Sequence, residues 1–260
     1  MKKHSLLFLS LLSASALLLA QTGPGGVGNS STNSLWLDAS QLTLSNNDPV
    51  ASWADLSGND NHAIQGISSQ QPTYKTNQIN NLPSVELDGN DYLDLTTDIT
   101  SEALTVFFVY NQNGTNKWNS ILSTNNAYFA YNHDISRFYE FASWNFENIR
   151  TLAGPSLFSA NIANGSSGSI SMTSDSYTET NTRDGFFPNT QSSIGIRRTF
   201  KNDRFAQGLI TEMIVYEDQL NDAQTKIILE YLAAKYDLTT PYNLYDYNTT
   251  YSNTVIGLGM

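Results

Sequence analysis

LWLDAS at 35–40, VASWADLSGNDNHA at 50–63, QPTY at 71–74 and LPSVELDGNDYLDL at 82–95 are the words that decide the fold of this chain. In each, a short apolar or aromatic run gives way to Gly, Asn and Asp. Strands with one buried face alternate in this way, and small polar residues between them favour turns. The segment therefore predicts antiparallel β-structure with short connections.

The same grammar continues downstream. Candidate strands lie at 35–38, 50–53, 63–65, 84–87 and 92–95. LTVFFVY at 104–110 is nearly all β-branched or aromatic, as a central strand buried on both faces must be. Further strands are expected at 119–123, 127–132, 137–143, 156–161, 169–173, 192–197 and 208–216. Many short strands without a repeat of fixed period predict an all-β sandwich rather than a propeller or solenoid. One segment departs from the pattern. Asn221 and Gln224 form a capping-box variant, and Ile227, Ile228, Tyr231, Leu232 and Lys235 make an apolar stripe at helical spacing. A short helix is expected there, docked on the sandwich, with the Lys235 stem at its edge and Lys226 and Glu230 on the wetter side.

At the N-terminus Lys2, Lys3 and His4 precede an apolar run over 6–19 that ends in Leu18-Leu19-Ala20. Residues 1–20 thus read as a signal peptide cleaved before Gln21, which sends the chain out of the cell or to its surface. The run is too short and too Ser-rich for a membrane span. Residues 21–33 are rich in Gly, Ser and Asn and are expected to form a flexible leader. The domain occupies 34–238. The aromatic tail 239–260 finds no partner strand beside it and reads as the start of a downstream domain in a longer surface protein.

Composition narrows the chemistry. There is no cysteine, so disulfides, thiol nucleophiles and a lipid-modified Cys are excluded. About 240 mature residues suffice for one large β-domain. The net charge is −11, and without Lys2 and Lys3 the chain holds 11 basic against 24 acidic residues, a net of −13. Nucleic acid and anionic membranes are disfavoured as partners; neutral glycans and Ca²⁺ are not.

Two blocks carry a family resemblance. The first is the opening segment, with Asp55-Leu56-Ser57-Gly58-Asn59 and Asp88-Gly89-Asn90-Asp91-Tyr92-Leu93. The second is GLITEMIVYEDQLNDAQTKIILEYLAAKYDL at 208–238. In this order they resemble the laminin-G-like, concanavalin A-like jelly rolls of bacterial secreted surface proteins. The resemblance implies an antiparallel jelly-roll sandwich with one short C-terminal helix, and a binding or adhesion module more than an enzyme. Residues 114–202 carry no such motif.

Each candidate site has a competing structural explanation. Asp55 to Asn59 suits an Asx turn with Gly58 at positive φ, and Asp88-Gly89 suits a hairpin. The same oxygen-rich turns could hold calcium, which makes Asp55, Asn59, Asp60, Asp88 and Glu212 the candidate ligands. Relatives often place Asp before the late-strand Glu; here that position is Thr211. Glu212 within a strand caps a loop, pairs with Arg197 or Arg198, or binds a cation, the ion pair being the first expectation. Glucanases of the resembling fold carry E-x-D-x-x-E on one strand. Glu86-Leu87-Asp88-Gly89-Asn90-Asp91 is the nearest match, and its Gly89-Asn90 should turn the chain before the third carboxylate. No Gly-x-Ser-x-Gly elbow is present, and His62 and His133 do not make a zinc site. For a glycan, Trp118, Tyr139 and Trp144 beside Arg137 and Asn145 offer rings for stacking and polar groups for hydroxyls. Trp36 and Trp53 are assigned to the core.

Together these observations describe a secreted, non-catalytic jelly-roll module that binds glycan or a cell-surface protein. The alternatives are a glycoside hydrolase or polysaccharide lyase on the same fold, and a purely structural spacer.

Overall fold

The computed structural model describes residues 23–116, 118–125, 128–132, 137–140, 149–150, 154–163, 168–174, 177–183, 191–198 and 203–242. The strands are β1 (Asn33–Asp38), β2 (Ser52–Trp53), β3 (Ala63–Ile64), β4 (Thr73–Ile79), β5 (Leu82–Asp88), β6 (Leu93–Leu95), β7 (Leu104–Asn111) and β8 (Trp118–Ser123). They continue with β9 (Tyr128–Asn132), β10 (Arg137–Glu140), β11 (Ile149–Arg150), β12 (Ser156–Ile162), β13 (Gly168–Ser174), β14 (Tyr177–Arg183), β15 (Ser193–Ile194) and β16 (Gln207–Tyr216). Helix α1 spans Asp222–Tyr236.

Two antiparallel sheets result. One runs β14-β13-β12-β7-β16-β5-β4, with β1 also on β16. The other runs β11-β10-β9-β8-β15-β6-β3-β2. β16 is the hinge of the first sheet. β7 lines one side of it, while β5 pairs with its first half and β1 with its second. A bulge between Ile210 and Glu212 separates the halves. A bulge adds one residue and re-aims its neighbours. Here the extra residue, Thr211, bonds Ser84 at 2.8 Å, and Glu212 turns towards the helix.

The expected two-faced burial of 104–110 is what the structure shows. Val106, Phe108 and Tyr110 pack between the sheets. Phe107 and Val109 face the other way, into a second cluster with Ile214, Ile228, Leu229 and Leu232. The domain is therefore three layers deep: helix, sheet, sheet. Helix α1 begins as its sequence predicts, Asn221 accepting from the Gln224 N–H and Gln224 returning the bond to the Asn221 N–H. Its buried stripe is rotated from the expected one. Leu229, Ala233 and Tyr236 join Ile228 and Leu232, and Ile227 is left 41% exposed.

Two other expectations change. The leader is not loose along its length: Pro24 and Val27 are buried, and the Tyr216 hydroxyl donates to the Val27 carbonyl at 2.9 Å. Composition suggested flexibility, but Gly25 at φ +63 lets the chain pass close to Tyr231 and Ile227. Asp88-Gly89 does not make a hairpin; β5 and β6 belong to different sheets, so this turn carries the chain across the sandwich. The real hairpin joins β4 to β5 through Asn80 and Asn81, both at positive φ, as a type I′ turn requires. The signal segment 1–20 and the tail beyond 242 lie outside the described residues.

Candidate functional site

The row Asp94–Ser193–Ser123 crosses β6, β15 and β8. Leu93 and Leu95 are in the core, so Asp94 between them turns outward, as period-two geometry demands. Ser193 donates to Asp94 at 2.6 Å, and Arg198 donates to both, reaching Ser193 at 2.8 Å through Nε and Asp94 through Nη2. The Arg198 guanidinium lies over the Tyr92 ring, 4.7 Å from its centroid. Tyr92 in turn stands 6.4 Å from the Phe205 ring at a tilt of 48°. Beside Phe205, Arg204 sits over Trp118 at 4.8 Å. Each of these six side chains is half-buried. The result is a continuous strip, Trp118–Arg204–Phe205–Tyr92–Arg198–Asp94, of rings, guanidiniums and a carboxylate.

The strip is held from below. Arg197, only 7% exposed, grips Asp203 through Nε at 2.6 Å and Nη2 at 2.5 Å, which fixes the segment before β16. The Ser120 N–H donates to the Arg204 carbonyl at 3.1 Å. Arg204 itself lies in the left-handed region, φ +52. A non-glycine residue held there is strained by roughly 1–3 kcal/mol, and such strain is retained where the surroundings dictate the conformation. Stacking holds a guanidinium in a fixed plane.

One residue before Tyr92, and on the buried side of the chain like Leu93, lies the Asp91 carboxyl. It is 4% exposed and accepts the Asp88 N–H at 3.2 Å. Burial pushes its pKa up to about 7; the Asp88 N–H opposes the rise, and the Asp88 and Glu86 charges add to it. Glu86 contacts Lys75 at 3.0 Å and Asn113 at 3.0 Å.

Of the residues expected to bind glycan, Trp118 belongs to this strip. Arg137 and Tyr139 lie on β10, two strands away, with Trp118, Asn132 and Arg137 in one cross-strand row. Trp144 and Asn145 lie outside the described residues. Tyr92, Phe205, Arg204 and Asp94 were not among the sequence candidates; Asp91 entered only as the third carboxylate of the glucanase-like run, and Arg198 only as a partner for Glu212. Their signal was the grouping of Arg197, Arg198 and Arg204 in an otherwise acidic chain.

The five candidate metal ligands are not gathered in one place. Asp55 accepts from the Trp36, Ser57 and Asn61 N–H groups and from the Ser57 hydroxyl, at 2.6–3.0 Å, so its lone pairs hold a turn. Gly58 in that turn has φ +90, as expected. His62 Nδ1 accepts the Asp55 N–H at 3.1 Å, a turn role. Asn59 donates to the Asn33 carbonyl at 2.7 Å, and Asp60 is exposed. Asp88 pairs with Gln207 at the other end of β16. Among the described residues no three His, Cys, Asp or Glu side chains cluster as metal ligands. Asn59 and Asn61 do line a polar cleft of about 470 Å³ with Thr32, Glu217 and Asp218.

Glu212 has the ion pair expected of it, but with a different cation. Arg197 and Arg198 are engaged by Asp203 and Asp94. Glu212 is fully buried beneath α1 and receives Lys235 Nζ at 2.7 Å, Tyr236 OH at 2.7 Å, Trp36 Nε1 at 2.7 Å and Tyr231 OH at 3.2 Å. Trp36 therefore serves the helix-side cluster, while Trp53 is in the core between the sheets.

No protein-family model matches the chain, and no curated protein matches it. Among solved structures, it is similar to the Trypanosoma rangeli sialidase in complex with sialic acid, at a TM-score of 0.52 and 13% identity over 85% of this chain and 36% of that one. It is also similar to a GH54 α-L-arabinofuranosidase soaked with a cyclic sulfate inhibitor, at a TM-score of 0.55 and 11% identity over 86% of this chain and 62% of that one. The chain thus spans about a third of the sialidase and less than two thirds of the arabinofuranosidase. At these identities the likeness is one of fold. It nevertheless corrects the expectation of a non-catalytic module. The fold recurs in chains of glycosidases, so the lack of a familiar carboxylate motif is no argument against catalysis.

Proposed function

We propose that this domain engages carbohydrate along the strip from Trp118 to Asp94, as part of a protein that processes glycans. The observation that carries this reading is the grouping of three partly exposed rings with two oriented guanidiniums on one surface. Sugars present apolar C–H faces to rings and hydroxyls to directed donors and acceptors. Tyr92, Phe205 and Trp118 supply the rings; Arg198, Arg204 and Asp94 supply the polar partners. The carbohydrate-active proteins that share the fold support the same substrate class. Export through residues 1–20 would place the domain where polysaccharides are met, and the oxygen-lined cleft beside Asn59 makes calcium a condition to vary.

A second reading, hydrolysis of the glycosidic bond, is favoured by Asp91. A carboxyl with a pKa near 7 is still largely protonated under mildly acidic conditions, as a general acid must be. Asp88 and Glu86 lie close enough to influence it and would supply the second carboxylate that glycoside hydrolysis requires.

The experiment is a panel of neutral and acidic polysaccharides scored twice, for retardation of the protein and for release of reducing ends, with calcium and with chelator. Saturable binding supports the carbohydrate assignment. Release of reducing ends that Asp91→Asn abolishes, with binding retained, supports the hydrolytic reading. Neither retardation nor product with any polysaccharide overturns both.

A further inference from the structure

We propose that Lys235 and Asp38 join in an intramolecular amide, with Glu212 as the proton carrier. The geometry of an amine and a carboxyl fixed together in a largely buried pocket leads there. Asp38 closes β1 and Lys235 lies in the last turn of α1, yet Nζ is 2.6 Å from Asp38 Oδ2. The same Nζ is 2.7 Å from Glu212 Oε2. Side-chain exposure is 19% for Lys235, 4% for Asp38 and 0% for Glu212. The Tyr231 and Tyr236 rings stand 5.5 and 5.2 Å from Nζ and roof the group against water. Each member is held in place. Asp38 Oδ1 accepts the Ser40 N–H at 2.8 Å, and Glu212 is fixed by Trp36 and both tyrosines. Reactants positioned this way gain the advantage of intramolecularity.

The chemistry balances without oxidant or cofactor. In the resting cluster Lys235 is an ammonium; burial pulls its pKa down, but Glu212, Tyr231 and Asp38 outweigh burial and raise it. Burial in turn raises the pKa of Glu212 and equips it to hold a proton, though Lys235 opposes that rise. One proton passes from Nζ to Asp38 Oδ2, 2.6 Å away, which leaves a neutral amine beside a neutral carboxyl. The amine attacks Asp38 Cγ, a C–N bond forms, and the charge developing on Oδ1 is met by the Ser40 N–H. Glu212, a carboxylate 2.7 Å from Nζ, takes a second proton from the nitrogen and hands it to Oδ2. The C–Oδ2 bond breaks, water leaves, and the third N–H stays on the amide. Ammonium plus carboxylate become amide plus water, so two buried charges disappear. The proton hand-offs resemble general acid–base catalysis by one carboxyl acting in both senses. The product ties the first strand to the only α-helix among the described residues, in a chain that has no cysteine for a disulfide.

The test uses the full chain, purified and left to mature at neutral pH. Its intact mass should fall about 18 Da below the sequence mass, one water, and digestion should yield one branched peptide joining Asp38 to Lys235. Lys235→Arg should restore the full mass, and Glu212→Gln should slow the loss at least tenfold. A wild-type chain that keeps its full mass after prolonged incubation overturns the proposal, and so does a water loss mapped to any other pair. Because the wild-type mass decides, a variant that fails to fold does not leave the question open. The result is also independent of glycan binding.

Discussion

Arg198 lies over the face of Tyr92, its guanidinium carbon 4.7 Å from the ring centroid. The same guanidinium donates to Ser193 and Asp94. Lysine can supply the charge but not the planar fork. Arg198→Lys is therefore expected to weaken glycan binding several-fold while leaving the fold intact. Because Asp94 remains partly exposed, the stability loss should be small, about 1 kcal/mol. Parallel urea denaturation and binding titration check the split between the two.

Asp91 gives a pH prediction whose sign is fixed. Its folded pKa, about 7, lies above that of an unfolded aspartate. Its contribution to stability is therefore full below the unfolded value and is lost as pH rises through 7. Wild-type stability should decline over that window by up to about 1.4 kcal/mol per pH unit. Asp91→Asn should flatten the decline and exceed wild type above pH 7, as urea midpoints across the window would show.

Gly195 follows β15 at φ +87, and a Cβ there would meet Leu87 Cδ2 at 2.9 Å and the Asp91 carbonyl at 3.1 Å. Both the backbone and the neighbours resist it. Gly195→Ala should cost about 2 kcal/mol and disturb Asp91, so its melting temperature should fall by more than that of a surface Gly→Ala control at Gly66, where nothing stands within 4 Å.

The ends of α1 offer opposite effects. Asn221→Ala removes a cap whose two bonds are made and should cost about 1 kcal/mol. Asp237 closes the helix in the left-handed region, φ +54, with a negative charge where the helix dipole favours a positive one. Asp237→Gly should stabilise the domain by about 0.5–1 kcal/mol. Chemical denaturation of both variants checks the signs.

How far the sequence could be read depended on the range of the interaction. The two-faced burial of 104–110, the cap at Asn221 and the Asp55 turn are local patterns, and the structure contains them as expected. The Asp88-Gly89 turn was ambiguous because local chemistry specifies a turn but not which sheet the next strand joins. Thr73–Ile79 escaped notice because its inward residues Tyr74 and Ile79 are separated by polar ones across an irregular register. The strip was least legible. Tyr92, Arg198 and Phe205 meet only because β6 and β15 pair across about a hundred residues of chain. Glu212 could be recognised as needing a cation, yet Arg197 and Arg198 were nearer in type than the lysine that the helix brings to it.

The most direct test of carbohydrate engagement is the affinity of the domain for its best-retained polysaccharide, measured for wild type, Trp118→Ala and Tyr92→Ala, with Ile227→Ser, an exposed residue of α1 on the opposite layer, as the control. The strip predicts a loss of at least tenfold, about 1.4 kcal/mol, for each ring variant and none for the control. Equal affinity in all four proteins would contradict it.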